Sequence, residues 1–172
     1  MKHTILSAEE GDQPLDLPAL LERLSTVSVR PRYAFMVLNL IARAANGSGK
    51  AGPFIREMDM LVPVRDWLCD ALTPMAHRDP RRIALTAQVH EDLAAAGALP
   101  NDPDAARRLI DNEVRERVRT SGKSNVSRAV SELVKAGLLK RHYQGYRVNH
   151  HNRGGQRHAV YTITDAARSA LS

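Results

Sequence analysis

The chain has little with which to build a covalent or metal-based framework. Its 172 residues include one cysteine, Cys69, which excludes an intramolecular disulfide scaffold and a cysteine-based zinc finger. Aromatic side chains make up only 4% of the sequence, so the core has to be aliphatic, filled by Leu, Val, Ile and Ala. No apolar run approaches the roughly 18 residues that cross a bilayer, and the mean hydropathy is -0.36. The opening stretch Met1 to Glu10 lacks the apolar centre of a secretion signal and soon turns acidic. A cytoplasmic protein without membrane contact is expected. Hydrophobic residues at 43% and charged residues at 26% fit a folded globular chain rather than a disordered one.

Acid is scarce in one place. Between Arg119 and His158 stand Arg119, Lys123, Arg128, Lys135, Lys140, Arg141, Arg147, Arg153 and Arg157, and the only acid among them is Glu132. Those 40 residues carry +8 of a chain whose net charge is +6, so the rest sums to -2. His142, His150, His151 and His158 share the window and add partial charge near neutral pH. A cationic run is often no more than a solvated face. Its coincidence with a definite local pattern gives this one further meaning.

Upstream of it the pattern is mainly helical. After a polar first dozen residues expected to fray, Leu17, Leu20, Leu21 and Leu24 predict a short helix ending between Ser25 and Val29. A second follows from Pro31, with Tyr33, Phe35, Met36, Val37, Leu38, Leu40 and Ile41 leaving little polar face before Asn46-Gly47 stops it. So apolar a helix is expected at the centre of a core or in an interface. Phe54 to Val62 is a short strand or helix that ends at Pro63. Val64 to Leu72 is a helix stopped by Pro74, and His77 to Arg82 is a loop. Ile83 to Ala96 is a helix closed by Gly97. Asn101-Asp-Pro-Asp104 caps a further helix striped by Leu109, Ile110, Val114 and Val118.

The informative part starts there. Gly122-Lys123 offers a tight turn, Ser124 an N-cap, and Val126, Ala129, Val130, Leu133 and Val134 a buried helical face. The opposite face presents Asn125, Ser127, Arg128, Ser131, Glu132 and Lys135. Gly137 supplies a left-handed stop. Two strand-like runs, Leu138 to Val148 and His158 to Thr164, flank the glycine-bearing tip Asn149-His-His-Asn-Arg-Gly-Gly-Gln156. Thr164-Asp165 then caps a last helix, Ala166 to Leu171.

Asn125-Val-Ser-Arg-Ala-Val-Ser-Glu-Leu-Val-Lys-Ala-Gly-Leu-Leu-Lys-Arg141, followed by the basic hairpin and Tyr161-Thr-Ile-Thr-Asp-Ala-Ala-Arg168, resembles the winged helix-turn-helix of bacterial regulators, nearest in pattern to MarR-type proteins. The resemblance covers about residues 104–172. It departs from those proteins at the wing, where Asn152 precedes Arg153 in place of an acid, and in the 57 residues between Asn46 and Asp104. A small-molecule-sensing pocket is therefore not carried over, and whether an effector binds stays open.

The resemblance implies a mainly α fold with a small β-hairpin wing and a helical N-terminal elaboration: a helical region over 1–103, expected to dimerise, and a DNA-binding region over 104–172. It implies a sequence-specific double-stranded DNA binder, a bacterial transcriptional regulator, with a recognition helix at about 124–136 in the major groove and a basic wing at about 148–157 on the minor groove. Ser124, Asn125, Ser127, Arg128 and Ser131 are the candidate base contacts, Arg128 bidentate to guanine. Arg119, Lys123, Lys135, Lys140, Arg141, Arg147 and Arg157 are candidate backbone contacts. His151, Asn152 and Arg153 form the wing tip, with Arg153 aimed at the minor groove. The apolar Tyr33 to Ile41 helix and the four leucines before it suggest a homodimer on an inverted repeat. A plasmid or phage replication or partition factor, or a winged-helix protein-interaction module, fits the same residues.

Other chemistries have weaker support. Gly47-Ser-Gly-Lys50 has Ala44 and Ala51 where a phosphate-binding loop needs Gly and Ser or Thr. Adjacent His150 and His151 lack nearby Cys or acid to complete a zinc site, so no metal and no cofactor is expected. Tyr143, Tyr146 and Tyr161 fit strand packing better than a stacking platform. Trp67 and Cys69 fit an apolar helix, the thiol inert. No spacing defines an acid–base pair or a strained nucleophile turn, and an enzyme is not expected.

Overall fold

The computed structural model describes residues 13–76, 80–145 and 157–172, with the side chains of 73–76 left aside. It is mainly helical, with a small amount of antiparallel sheet. The chain divides into two compact units, one made of Met1–Leu68 with Val126–Ser172 and the other of Cys69–Asn125. The units therefore do not follow the expected division at residue 104, because the N-terminal helices share a core with the C-terminal strands.

In the first unit, α1 (Leu17–Val27) begins where the Asp16 carboxylate accepts from the Ala19 amide at 2.9 Å, with Pro18 in the first turn. It buries Leu20 and Leu24 but leaves Leu17 and Leu21 exposed. α2 (Pro31–Ala44) packs against α1, buries Ala34, Val37, Leu38 and Ile41 completely, and holds Phe35, Met36 and Leu40 half-buried. One face of this apolar helix is thus packed within its own chain, while Phe35, Met36 and Leu40 keep part of their surface open.

Strand β1 (Lys50–Ala51) was not legible in the sequence. It pairs antiparallel with a strand more than a hundred residues away, β5 (His158–Ile163), through Lys50↔Thr162 and Ala51↔Tyr161. A separate hairpin, β2 (Phe54–Glu57) and β3 (Met60–Pro63), turns at Met58 and Asp59, both with positive φ. That is the mirror-image turn that matches strand twist. β4 (Leu139–Gln144) pairs with β5 from Leu139↔Ile163 to Gln144↔His158, giving a sheet of order β1-β5-β4. Its central strand buries Val160, Tyr161 and Ile163. These strands follow the two predicted runs, and the tip between them lies outside the described residues.

Two helices run through both units. α3 (Val64–Ala76) passes the predicted stop at Pro74, which stands in its last turn. α5 (Pro103–Lys135) is one continuous helix of 33 residues, capped by Asp102, whose carboxylate accepts from the Ala105 amide at 3.0 Å. The expected turn at Gly122-Lys123 and the separate recognition helix at about 124–136 are therefore corrected. Gly122 is an interior helical glycine whose missing side chain faces Cys69; a Cβ there would meet the Cys69 Cβ and Sγ at 3.6 Å.

The second unit contains α4 (Pro80–Ala95) and α5 up to Asn125, with Cys69, Val89 and Val114 buried. α4 ends as predicted at Gly97, whose φ of 65° and bond to the Ala94 carbonyl, beside Ala98 to Leu93, make a Schellman close. Arg117 donates to Asp92 at 2.8 Å and Glu113 at 3.0 Å, bonding α4 to α5. The Asp92 bond, then the Glu113 bond, raises the Arg117 pKa further above its ordinary value.

The continuity of α5 predicts the sign of one substitution. Gly122→Ala adds a Cβ at ordinary contact distance and removes a flexible residue from a helix interior, so it is expected to stabilise the protein by about 0.5–1 kcal/mol. Urea unfolding measures this; a comparable loss would restore the turn.

Candidate nucleic-acid interface

The candidate interface is built on the last ten residues of α5, a stretch with two unlike faces. Val126, Ala129, Val130 and Leu133, at helical spacing, are buried to within 3% exposure and anchor it in the first unit. Arg128, Ser131 and Lys135 are exposed at a spacing of three and four residues, and Ser127 is half-buried beside them. Val134, expected on the buried face, is exposed.

The helix ends by a Schellman close. Gly137 has φ 71°, its amide donates to the Val134 carbonyl at 3.1 Å, and the Leu138 amide donates to Leu133 at 3.0 Å. The Thr164 hydroxyl donates to the Gly137 carbonyl at 2.9 Å and accepts from the Ala167 amide at 3.4 Å, so one side chain ties the end of α5 to the start of α6 (Asp165–Leu171).

Leu138 and Leu139 are buried, and the chain then leaves along β4, an edge strand exposed from Lys140 onward. The Arg141 guanidinium returns to the helix, donating to the Ser131 hydroxyl at 3.2 Å, while that hydroxyl donates to the Ser127 carbonyl at 3.0 Å. The same guanidinium stands 5.8 Å from the centre of the Tyr143 ring, at the outer range of a cation–π contact. Tyr143 is exposed rather than packed, unlike the buried Tyr161. Lys140 is exposed on β4, and Arg157 is exposed immediately before β5.

Among the described residues no acid forms an ion pair with Arg128, Lys135, Lys140, Arg141 or Arg157. The one acid in this segment, Glu132, is half-buried and accepts a hydrogen bond from the Ser28 hydroxyl at the end of α1. Neither Ser28 nor Arg23, whose guanidinium reaches the Ala136 carbonyl at 3.4 Å, was picked out from the sequence. Their role depends on tertiary packing, and nothing local signals it.

The remaining sequence-predicted residues divide clearly. Arg119, Lys123, Ser124 and Asn125 belong to the second unit. Arg119 forms a two-pronged pair with Asp70, Nη2 to Oδ2 at 2.8 Å and Nε to Oδ1 at 3.4 Å, so its charge is committed within that unit. Lys123 and Asn125 are half-buried and Ser124 is exposed. Arg147, His151, Asn152, Arg153 and Tyr146 lie outside the described residues.

Elsewhere in the first unit, the amides of Ser48 and Lys50 both donate to the Asn46 side chain and that of Gly49 to its carbonyl, so this loop satisfies its own donors. Cys69 is buried and Trp67 half-buried. Among the described residues no cluster of His, Cys, Asp and Glu is placed to hold a metal, and no helix is long and apolar enough to cross a membrane. No protein-family model matches the chain, and no match was found among curated proteins or solved structures.

Because Arg128 and Lys135 are exposed and pair with no acid among the described residues, removing them leaves the fold intact. Arg128→Ala and Lys135→Ala are expected to unfold within about 0.5 kcal/mol of the parent chain, whereas Leu133→Ala on the opposite face costs about 2–5 kcal/mol. Denaturant unfolding monitored by circular dichroism distinguishes the two faces.

Proposed function

We propose that the first unit is a winged helix that binds double-stranded DNA in a sequence-specific manner, and that the chain acts as a bacterial transcriptional regulator. The observation that carries this reading is the exposed face formed by Arg128, Ser131 and Lys135 of α5 and joined to β4 by the Arg141–Ser131 hydrogen bond, with its cations unpaired by acid among the described residues. The order of elements supports it: α2, the short strand β1, the opening of α3, the end of α5 and then the β4–β5 hairpin, with β1 closing on β5. The whole Cys69–Asn125 unit then stands in the chain between the two helices of the motif.

Because α5 is continuous, the recognition segment has no free N-terminus at Ser124 to direct at bases. Base reading falls instead to the side of the helix, with Arg128 forked onto guanine in the major groove and Ser127 and Ser131 beside it. Lys135, Lys140, Arg141 and Arg157 would then meet phosphates. Arg153, with its neighbours His151 and Asn152, is proposed to read the minor groove, and the chain to bind an inverted repeat as a homodimer. With α2 committed to the core, Leu17 and Leu21 are what remains exposed of the leucines that suggested self-association.

Selection from random duplexes, read by sequencing, is expected to return two half-sites related by a two-fold axis about one DNA turn apart. Arg128→Ala should cost about 1–3 kcal/mol and relax preference at one base position, while Lys135→Ala should weaken all sequences alike and lower the salt slope by about 1. Absence of duplex affinity at low salt would overturn the proposal.

A further inference from the structure

Glu132 stands four residues after Arg128 and three before Lys135, the spacings at which side chains on a helix meet. Yet it pairs with neither cation. Its carboxylate instead accepts from the hydroxyl of Ser28, the residue that ends α1, where Ser28 is only 8% exposed. That hydroxyl is itself oriented, because its oxygen accepts from the Arg30 amide at 3.1 Å and leaves its proton to the carboxylate. Arg23, one turn and a half earlier on α1, reaches the Ala136 carbonyl at the end of the same helix. α1 therefore touches the DNA-facing stretch of α5 at its only acid and at its last turn.

We infer that Ser28 is a positioning residue that holds Glu132 away from Arg128 and Lys135, keeping both cations available for phosphate and base. This rests on the proposed duplex binding and names how the site is kept cationic. Helix-surface ion pairs in water are weak, and a charge-assisted hydrogen bond to a buried hydroxyl outcompetes them. Without the hydroxyl, the carboxylate swings to the neighbouring cations and offers DNA a neutralised pair and an added repulsion.

The test is a double-mutant comparison on the full chain: Ser28→Ala, Glu132→Gln, both together, and Ser28→Thr as the variant that keeps the hydroxyl. Each is titrated with a labelled duplex that the parent chain binds, well below its own unfolding midpoint. Ser28→Ala is expected to weaken binding about threefold to tenfold, the scale of losing one phosphate contact. Glu132→Gln should bind at least as tightly as the parent chain, the double variant should match Glu132→Gln within about twofold, and Ser28→Thr should retain affinity. Equal weakening by Ser28→Ala with and without Glu132 would show that the serine serves the fold alone and would overturn the inference, as would unchanged binding by Ser28→Ala. A parent chain that binds no duplex would overturn the functional proposal and this inference together.

Discussion

The first unit depends on how α5 stops. Gly137 adopts a left-handed conformation that a Cβ would strain, and the two amides after the helix fold back onto the Leu133 and Val134 carbonyls. That close turns the chain sharply enough for Leu138 and Leu139 to drop into the core and for β4 to start beside the helix it has just left. Thr164 completes the joint from the other side, donating to Gly137 through its hydroxyl and to Leu138 through its amide. The register of β4 on β5, the start of α6 and the return of Arg141 to Ser131 all follow from that one corner. Each bond there is individually worth only about 1 kcal/mol net. The alternative, buried carbonyls without donors, is what makes the corner hard to rearrange.

Cations serve two purposes in this chain. In the second unit Arg117 and Arg119 are committed to Asp92, Glu113 and Asp70 and hold helices to one another. In the first unit Arg128, Lys135, Lys140 and Arg157 are exposed without an acid partner among the described residues. An exposed ion pair contributes about 0.2–1 kcal/mol, so an unpaired surface cation costs the fold little, and its charge stays available for a polyanion. The hydrogen bond from Ser28 to Glu132 extends that division to the one acid in the segment. A charged hydrogen bond of roughly 1.5–3 kcal/mol easily exceeds the about 0.2–0.5 kcal/mol of a solvated helix pair.

Much of the local structure was legible because short-range chemistry determined it. Asp102 and Thr164 cap the helices they precede, and Gly97 and Gly137 close the helices they follow. Val126, Ala129, Val130 and Leu133 declared a buried face through spacing alone. What failed depended on distant partners. Gly122 looks like a turn glycine until Cys69 is found against it. β1 is two residues long and exists only because β5 arrives beside it. The β2–β3 turn uses Met58 and Asp59 where a sequence signal would need Asn-Gly. The buried face of α2 is apolar because α1, α6 and two strands pack against it. Of the candidate interface, the helix face and edge strand could be read from the sequence, whereas the pairing of Arg119 and the restraint on Glu132 could not.

The most direct test of the account is the salt dependence of the parent chain's affinity for duplex DNA. Four exposed cations, Lys135, Lys140, Arg141 and Arg157, that reach phosphates should give a slope of log K against log salt of about -3 to -4, since each contact contributes about -0.9. Replacing Lys135 and Arg141 together by alanine should bring the slope close to about -2 with the fold unchanged. A parent chain whose binding is absent at low salt, or whose slope is indifferent to those two residues, would contradict the proposal that this face meets DNA.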